Sequence, residues 1–109
     1  MREKQDTPIY SARDEDGDLQ EEISDFVVGL AEQVDLLQDV EGNSDFTPLE
    51  SMARTLASDS ERFGFEALSQ VALQLAEGCV ENKPNLVQDT LVELTDIARR
   101  IRLGHRGAA

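Results

Sequence analysis

Four stretches of this chain repeat apolar residues at the three- and four-residue spacing of a helix, and none alternates them as a strand would. The longest runs through Leu19, Ile23, Phe26, Leu30, Val34 and Leu37, with Val27 and Val40 widening the stripe. A second holds Leu49, Met52, Ala53, Leu56, Ser60 and Phe63, and a third Phe65, Leu68, Val71, Ala72, Leu75 and Cys79. The fourth holds Leu86, Val87, Leu91, Leu94, Ile97, Ala98 and Ile101. An amphipathic helix must bury its stripe against something. Four of them with short connections predict an all-α fold, an antiparallel up-down four-helix bundle. A chain of 109 residues is the size of one domain. It buries about two-thirds of its unfolded surface, enough for a core without metal or disulfide.

Turn and cap residues punctuate the stripes. Asp18 followed by Glu21 resembles a capping box that starts the first helix near residues 16–18. Gly29 weakens that helix and is a candidate for a close helix crossing, and Glu41-Gly42-Asn43-Ser44 ends it. Thr47-Pro48-Leu49-Glu50 predicts a cap, a proline at the first helical position and an acid three residues after the cap. Gly64 supplies the turn after the second helix. The third helix is expected to fray around residues 78–82, and Pro84 restarts the chain. Arg99, Arg100 and Arg102 are assigned to the last turn of the fourth helix, where cations offset the helix dipole, and Leu103-Gly104 closes it. The expected organisation is a mostly flexible tail over 1–15, a bundle over 16–103 and a C-terminal tail over 104–109. Pro8, Ile9 and Tyr10 are the exceptions in the polar N-terminal stretch.

The net charge of −13 is unevenly spread. Residues 1–45 carry 14 acids and 3 bases, a net of −11; residues 46–109 carry 9 acids and 7 bases, a net of −2. A field of that sign repels nucleic acid and anionic membrane surfaces, so neither is an expected partner. The single cysteine, Cys79, excludes an internal disulfide framework and reads as a buried thiol. The opening Met-Arg-Glu-Lys-Gln-Asp has no apolar segment behind it, and no run approaches the roughly 20 apolar residues of a membrane span. The expected setting is cytoplasmic, as a monomer or weak dimer.

Around the second helix a more specific pattern emerges. Its polar side is predicted to carry Thr47, Glu50, Ser51, Arg54, Ala57, Ser58 and Glu61. The stretch from Arg54 to Phe65 resembles the active-site region of histidine-containing phosphotransfer (HPt) domains. That family reads His-x-Leu-Lys-Gly, two small residues, two variable ones, an apolar residue and Gly. Leu56, Ser60, Phe63 and Gly64 fall on the matching positions, and Phe65, Ala67, Leu68, Ala72 and Leu75 continue the match. The resemblance spans roughly residues 8–102 and implies a four-helix bundle with a short N-terminal segment crossing one end, where Ile9 and Tyr10 are expected to lie. Departures from the family sit where its chemistry is: Arg54 stands in place of the phosphorylatable His, Ala57 in place of the Lys that steadies phosphoryl charge, and Ser58 in place of the Gly. Asp59 and Glu61 add negative charge where the family is usually small or neutral.

Phosphotransfer needs a neutral imidazole on an exposed helical face, and a guanidinium does not deprotonate in proteins. The only histidine, His105, lies in the expected tail. No Glu-x-x-His pair, second zinc ligand, phosphate loop or dinucleotide fingerprint occurs, so no metal or cofactor is implied. Surface acids are abundant, but no buried acidic pair can be picked out for acid–base catalysis. Glu50, four residues before Arg54, is placed for an ordinary helical salt bridge. The leading expectation is therefore a non-enzymatic HPt-like module that has lost its phosphoacceptor. It would bind a response-regulator receiver domain or a histidine kinase through Arg54, Ala57, Ser58, Glu50 and Glu61. A second reading is a structural or assembly module with no phosphorelay role. A third is a phosphotransferase using an unrecognised residue.

Overall fold

The computed structural model describes residues 8–12, 17–42 and 45–108; the side chains of residue 18 and of residues 105–109 are not among those described. A 3₁₀ turn at Gly17–Leu19 leads into four helices: α1 (Gln20–Glu41), α2 (Thr47–Arg62), α3 (Glu66–Val80) and α4 (Pro84–Ala108). There is no strand among the described residues. The four helices close a ring in chain order, with α2 packed most extensively on α3, then α3 on α4 and α4 on α1. The α1–α2 seam is the lightest, and diagonal helices do not approach each other. This is the expected all-α four-helix bundle.

The periodic residues fill the centre. Leu30, Leu37, Leu49, Leu56, Leu68, Leu75, Leu94 and Ile101 are fully buried, and Phe26, Phe63 and Phe65 form a ring cluster at one end. Leu86 departs from the stripe predicted for it, lying 40 % exposed while Val87 beside it is fully buried. One position off the axis of a helical stripe is enough to move a side chain to its edge.

Both three-residue corners are built alike. After α2, Gly64 takes φ 84°; its N–H donates to the Glu61 carbonyl at 3.2 Å and the Phe65 N–H to the Ser60 carbonyl at 2.8 Å. After α3, Asn82 takes φ 55°; its N–H donates to Cys79 at 3.1 Å and the Lys83 N–H to Gly78 at 3.0 Å. Each is a Schellman motif, in which a left-handed residue lets two N–H groups satisfy the last helical carbonyls. The predicted fraying over 78–82 therefore does not occur, because Asn82 tolerates the conformation more often reserved for glycine.

The helix starts differ from expectation. No side-chain cap bond forms at Leu19, the residue before α1; the proposed Asp18 cap concerns a side chain outside the described residues. At α2, Phe46 precedes the helix and Thr47 is its first residue. The Asp45 carboxylate accepts the Thr47 N–H at 3.0 Å, so the first helical N–H is satisfied from two residues upstream and Thr47 is not the cap. The carboxyl of Asp45 sits below the ordinary aspartate range because it accepts first the backbone N–H and then the hydroxyl of Thr47.

Two glycines exchange roles. A β-carbon on Gly29 would meet nothing within 4 Å, so no close crossing occurs there. On buried Gly78 it would stand 3.2 Å from Val87 Cγ2 and 3.4 Å from Leu86 Cγ, which places the close approach at the α3–α4 seam. The fourth helix also runs past Leu103-Gly104 to Ala108. The backbone of residues 104–108 is therefore helical and His105 lies on α4, not in a tail. Arg99 and Arg100 stand well inside that helix, both paired with Asp96 at 3.0 and 3.4 Å.

Of the expected N-terminal tail, Pro8–Ala12 falls among the described residues and crosses one end of the bundle, as Ile9 and Tyr10 were expected to. Its backbone bonds reach Arg100 on α4 and Gly64 at the α2–α3 corner.

Candidate functional site: the outer face of α2

The buried arc of α2 carries Leu49, Ala53, Leu56, Ala57 and Ser60. Ser60 is accommodated there because its hydroxyl donates to the Leu56 carbonyl at 2.7 Å, one turn back along the helix. The arc is wider than predicted, and Ala57 is the correction that matters: it is only 3 % exposed and belongs to the core, not to the solvent face. At 100° per residue Ala57 lies 40° from Ala53, within the width of an ordinary core stripe. The position where the resembled family carries a lysine thus holds a small side chain tucked under its neighbours.

The opposite arc is polar. Ser51, Arg54, Thr55, Ser58, Glu61 and Arg62 are exposed and Glu50 is partly covered. Arg54 Nε donates to Glu50 Oε2 at 2.8 Å, with the two side chains 51 % and 30 % exposed. The predicted salt bridge is therefore present, and the Arg54 side chain remains half exposed. Ser58 stands one turn further on, its small side chain exposed. Arg62 lies over the Phe63 ring at 5.2 Å and reaches Glu22 of α1 at 3.8 Å.

Of the five predicted residues, the structure brings Arg54 and Glu50 together, leaves Ser58 beside them, and separates Glu61. Eleven residues of helix place Glu61 about 16 Å along the axis from Glu50. Glu50 borders a shallow depression with Asp45, Thr47 and Cys79, whereas Glu61 borders another with Ala12, Gly64, Ser69 and Leu73. The outer face of α2 thus runs between these two shallow depressions, one at each end.

Cys79 was expected to be buried and is. Burial, and secondarily the negative charge of Glu50, push its thiol above the ordinary cysteine value, which suppresses the thiolate that cysteine chemistry needs. Among the described residues no group of three His, Cys, Asp or Glu is placed to hold a metal ion. No helix among them is long and apolar enough to cross a membrane. Glu61 was among the predicted residues; what sequence reasoning missed is Ala12, which lines the same depression. No local pattern signals it, because the contact joins residues far apart in sequence.

Comparison with known protein families, curated proteins and solved structures returns no match to this chain.

Proposed function

We propose that this protein is an HPt-like binding module that does not transfer phosphate. Its outer α2 face would dock on a receiver domain, or on the helical bundle of a histidine kinase, within a two-component system. The observation that carries the reading is Arg54: an exposed guanidinium on the face of a four-helix bundle, at the position where the resembled family carries its histidine, with small Ser58 on the next turn. Receiver domains present a cluster of acids at the surface an HPt histidine approaches. A guanidinium offers that cluster a permanent cation with donors matched to carboxylates. The proposed setting is the cytoplasm, where a reduced buried thiol such as Cys79 is at home, and the proposed state is a monomer or weak dimer.

A plain structural or assembly module is the second reading. The 2.8 Å pair with Glu50 favours it, because that pair satisfies Arg54 within its own helix.

Calorimetric titration against receiver domains from the same cell, with magnesium varied, tests the first reading. Binding that Arg54→Glu weakens at least about tenfold, a loss of 1.4 kcal/mol, supports it. Equal binding by Arg54→Glu reduces Arg54 to a solvated partner of Glu50.

A further inference from the structure

The segment Pro8–Ala12 crosses the end of the bundle where α2 hands over to α3. The Ile9 N–H donates to the Arg100 carbonyl at 3.0 Å and the Ala12 N–H to the Gly64 carbonyl at 2.8 Å. Between them, the hydroxyl of buried Ser11 donates to the Phe63 carbonyl. On α4 the crossing is so close that a β-carbon at Gly104 would stand 2.7 Å from the Ile9 carbonyl oxygen and 3.1 Å from Cε1 of Tyr10. The first of these atoms is backbone and cannot swing aside, so Gly104 is a notch that admits the segment.

Beyond buried Ser11 and the Ile9 side chain packed on the core, the segment's side chains are open to solvent. Tyr10 is 57 % exposed, Pro8 and Ala12 are exposed, and Ile9 is half-buried. A segment fixed by a few backbone bonds over little apolar surface opens at a lower free energy than the helices beneath it. Its attachment points are not equivalent to bulk surface. Phe63 and Gly64 form the α2–α3 corner, and Ala12 shares a depression with Glu61 at the end of the outer α2 face.

We propose that Pro8–Ala12 is a releasable latch: docked in the Gly104 notch it clamps the α2–α3 corner to α4, and undocked it loosens that corner and the last turn of α2. The latch acts within the chain and does not depend on what α2 binds.

Tyr10 is the only tyrosine and the chain has no tryptophan, so intrinsic fluorescence reports on the latch alone. The test compares the wild-type chain with Gly104→Val and Ser11→Ala, by Tyr10 anisotropy and residue-resolved hydrogen exchange. Gly104→Val closes the notch. Tyr10 anisotropy is expected to fall, and exchange at Ile9, Ala12, Gly64 and Phe65 to rise about tenfold or more, while Leu30 and Ala72 keep wild-type protection, the pattern of a local opening. Ser11→Ala leaves α4 untouched and gives a smaller rise at the same amides, so the proposal stays testable if Gly104→Val fails to fold. Unchanged protection in Ser11→Ala overturns the latch, as does acceleration spread equally to Leu30 and Ala72. Corner amides that stay protected once Tyr10 is free overturn the clamp.

Discussion

Arg54 and Glu50 hold each other, so the proposed partner would compete with Glu50 for the guanidinium. An exposed helical ion pair is worth about 0.3–0.5 kcal/mol, a small barrier to exchange for a cluster of carboxylates. The residue beneath matters as much. Ala57 is buried and Ser58 is not, and a charge introduced at each separates them: Ala57→Glu is expected to cost about 3 kcal/mol or more, since it buries an unpaired carboxylate. Ser58→Glu is expected to stay within about 0.5 kcal/mol. Urea unfolding measures both, and similar costs would reverse the facing of α2. Asp45 gives a pH signature. Its folded pKa is depressed by Thr47, so its contribution to stability is complete above the ordinary aspartate range and is lost as pH falls through the lowered value. The Thr47 amide resonance should follow a titration below the ordinary aspartate value; one at or above it contradicts the cap. At this scale the sequence carried the Glu50–Arg54 pair, because a four-residue spacing on a helix dictates contact. Ala57 was misread because a wheel divided into halves hides how far the core arc extends, which depends on the neighbouring helices.

The helices themselves were legible from periodicity, and their ends less so. Gly64 was a readable stop because a left-handed turn favours glycine. Asn82 performs the same task with a residue that also occurs in loops, and Asp45 caps α2 from outside the expected box. Gly104 misled in the opposite direction, since a glycine near a helix end reads as a stop and here serves a close approach within the helix. The contrast between Gly29 and Gly78 is testable. Gly29→Ala adds a methyl in open space and is expected to stabilise by about 0.5–1 kcal/mol through helix propensity. Gly78→Ala places the same methyl 3.2 Å from Val87 Cγ2 and is expected to give less benefit or a net loss, as overpacking does. Thermal melts of the two variants decide it, and equal gains would contradict the tight α3–α4 seam.

At the scale of the whole molecule, four stripes that need mutual cover carried the bundle in advance. The docking of Pro8–Ala12 was anticipated only as a crossing, because its anchors at Gly64 and Arg100 are set by tertiary placement. Charge acts at this scale too. A protein at −13 is repelled by an acidic receiver beyond the roughly 8–10 Å over which physiological salt screens. Association through Arg54 should therefore strengthen as moderate salt is added, then weaken once the contact itself is screened. The most direct test of the central claim is competition. A functional phosphotransfer domain carrying labelled phosphohistidine is mixed with its receiver, and transfer is timed with this protein present in excess. The account predicts that the wild-type chain slows transfer without acquiring label and that Arg54→Glu does not slow it. Transfer unaffected by the wild-type chain across the receivers of the cell, or slowed equally by Arg54→Glu, would contradict it.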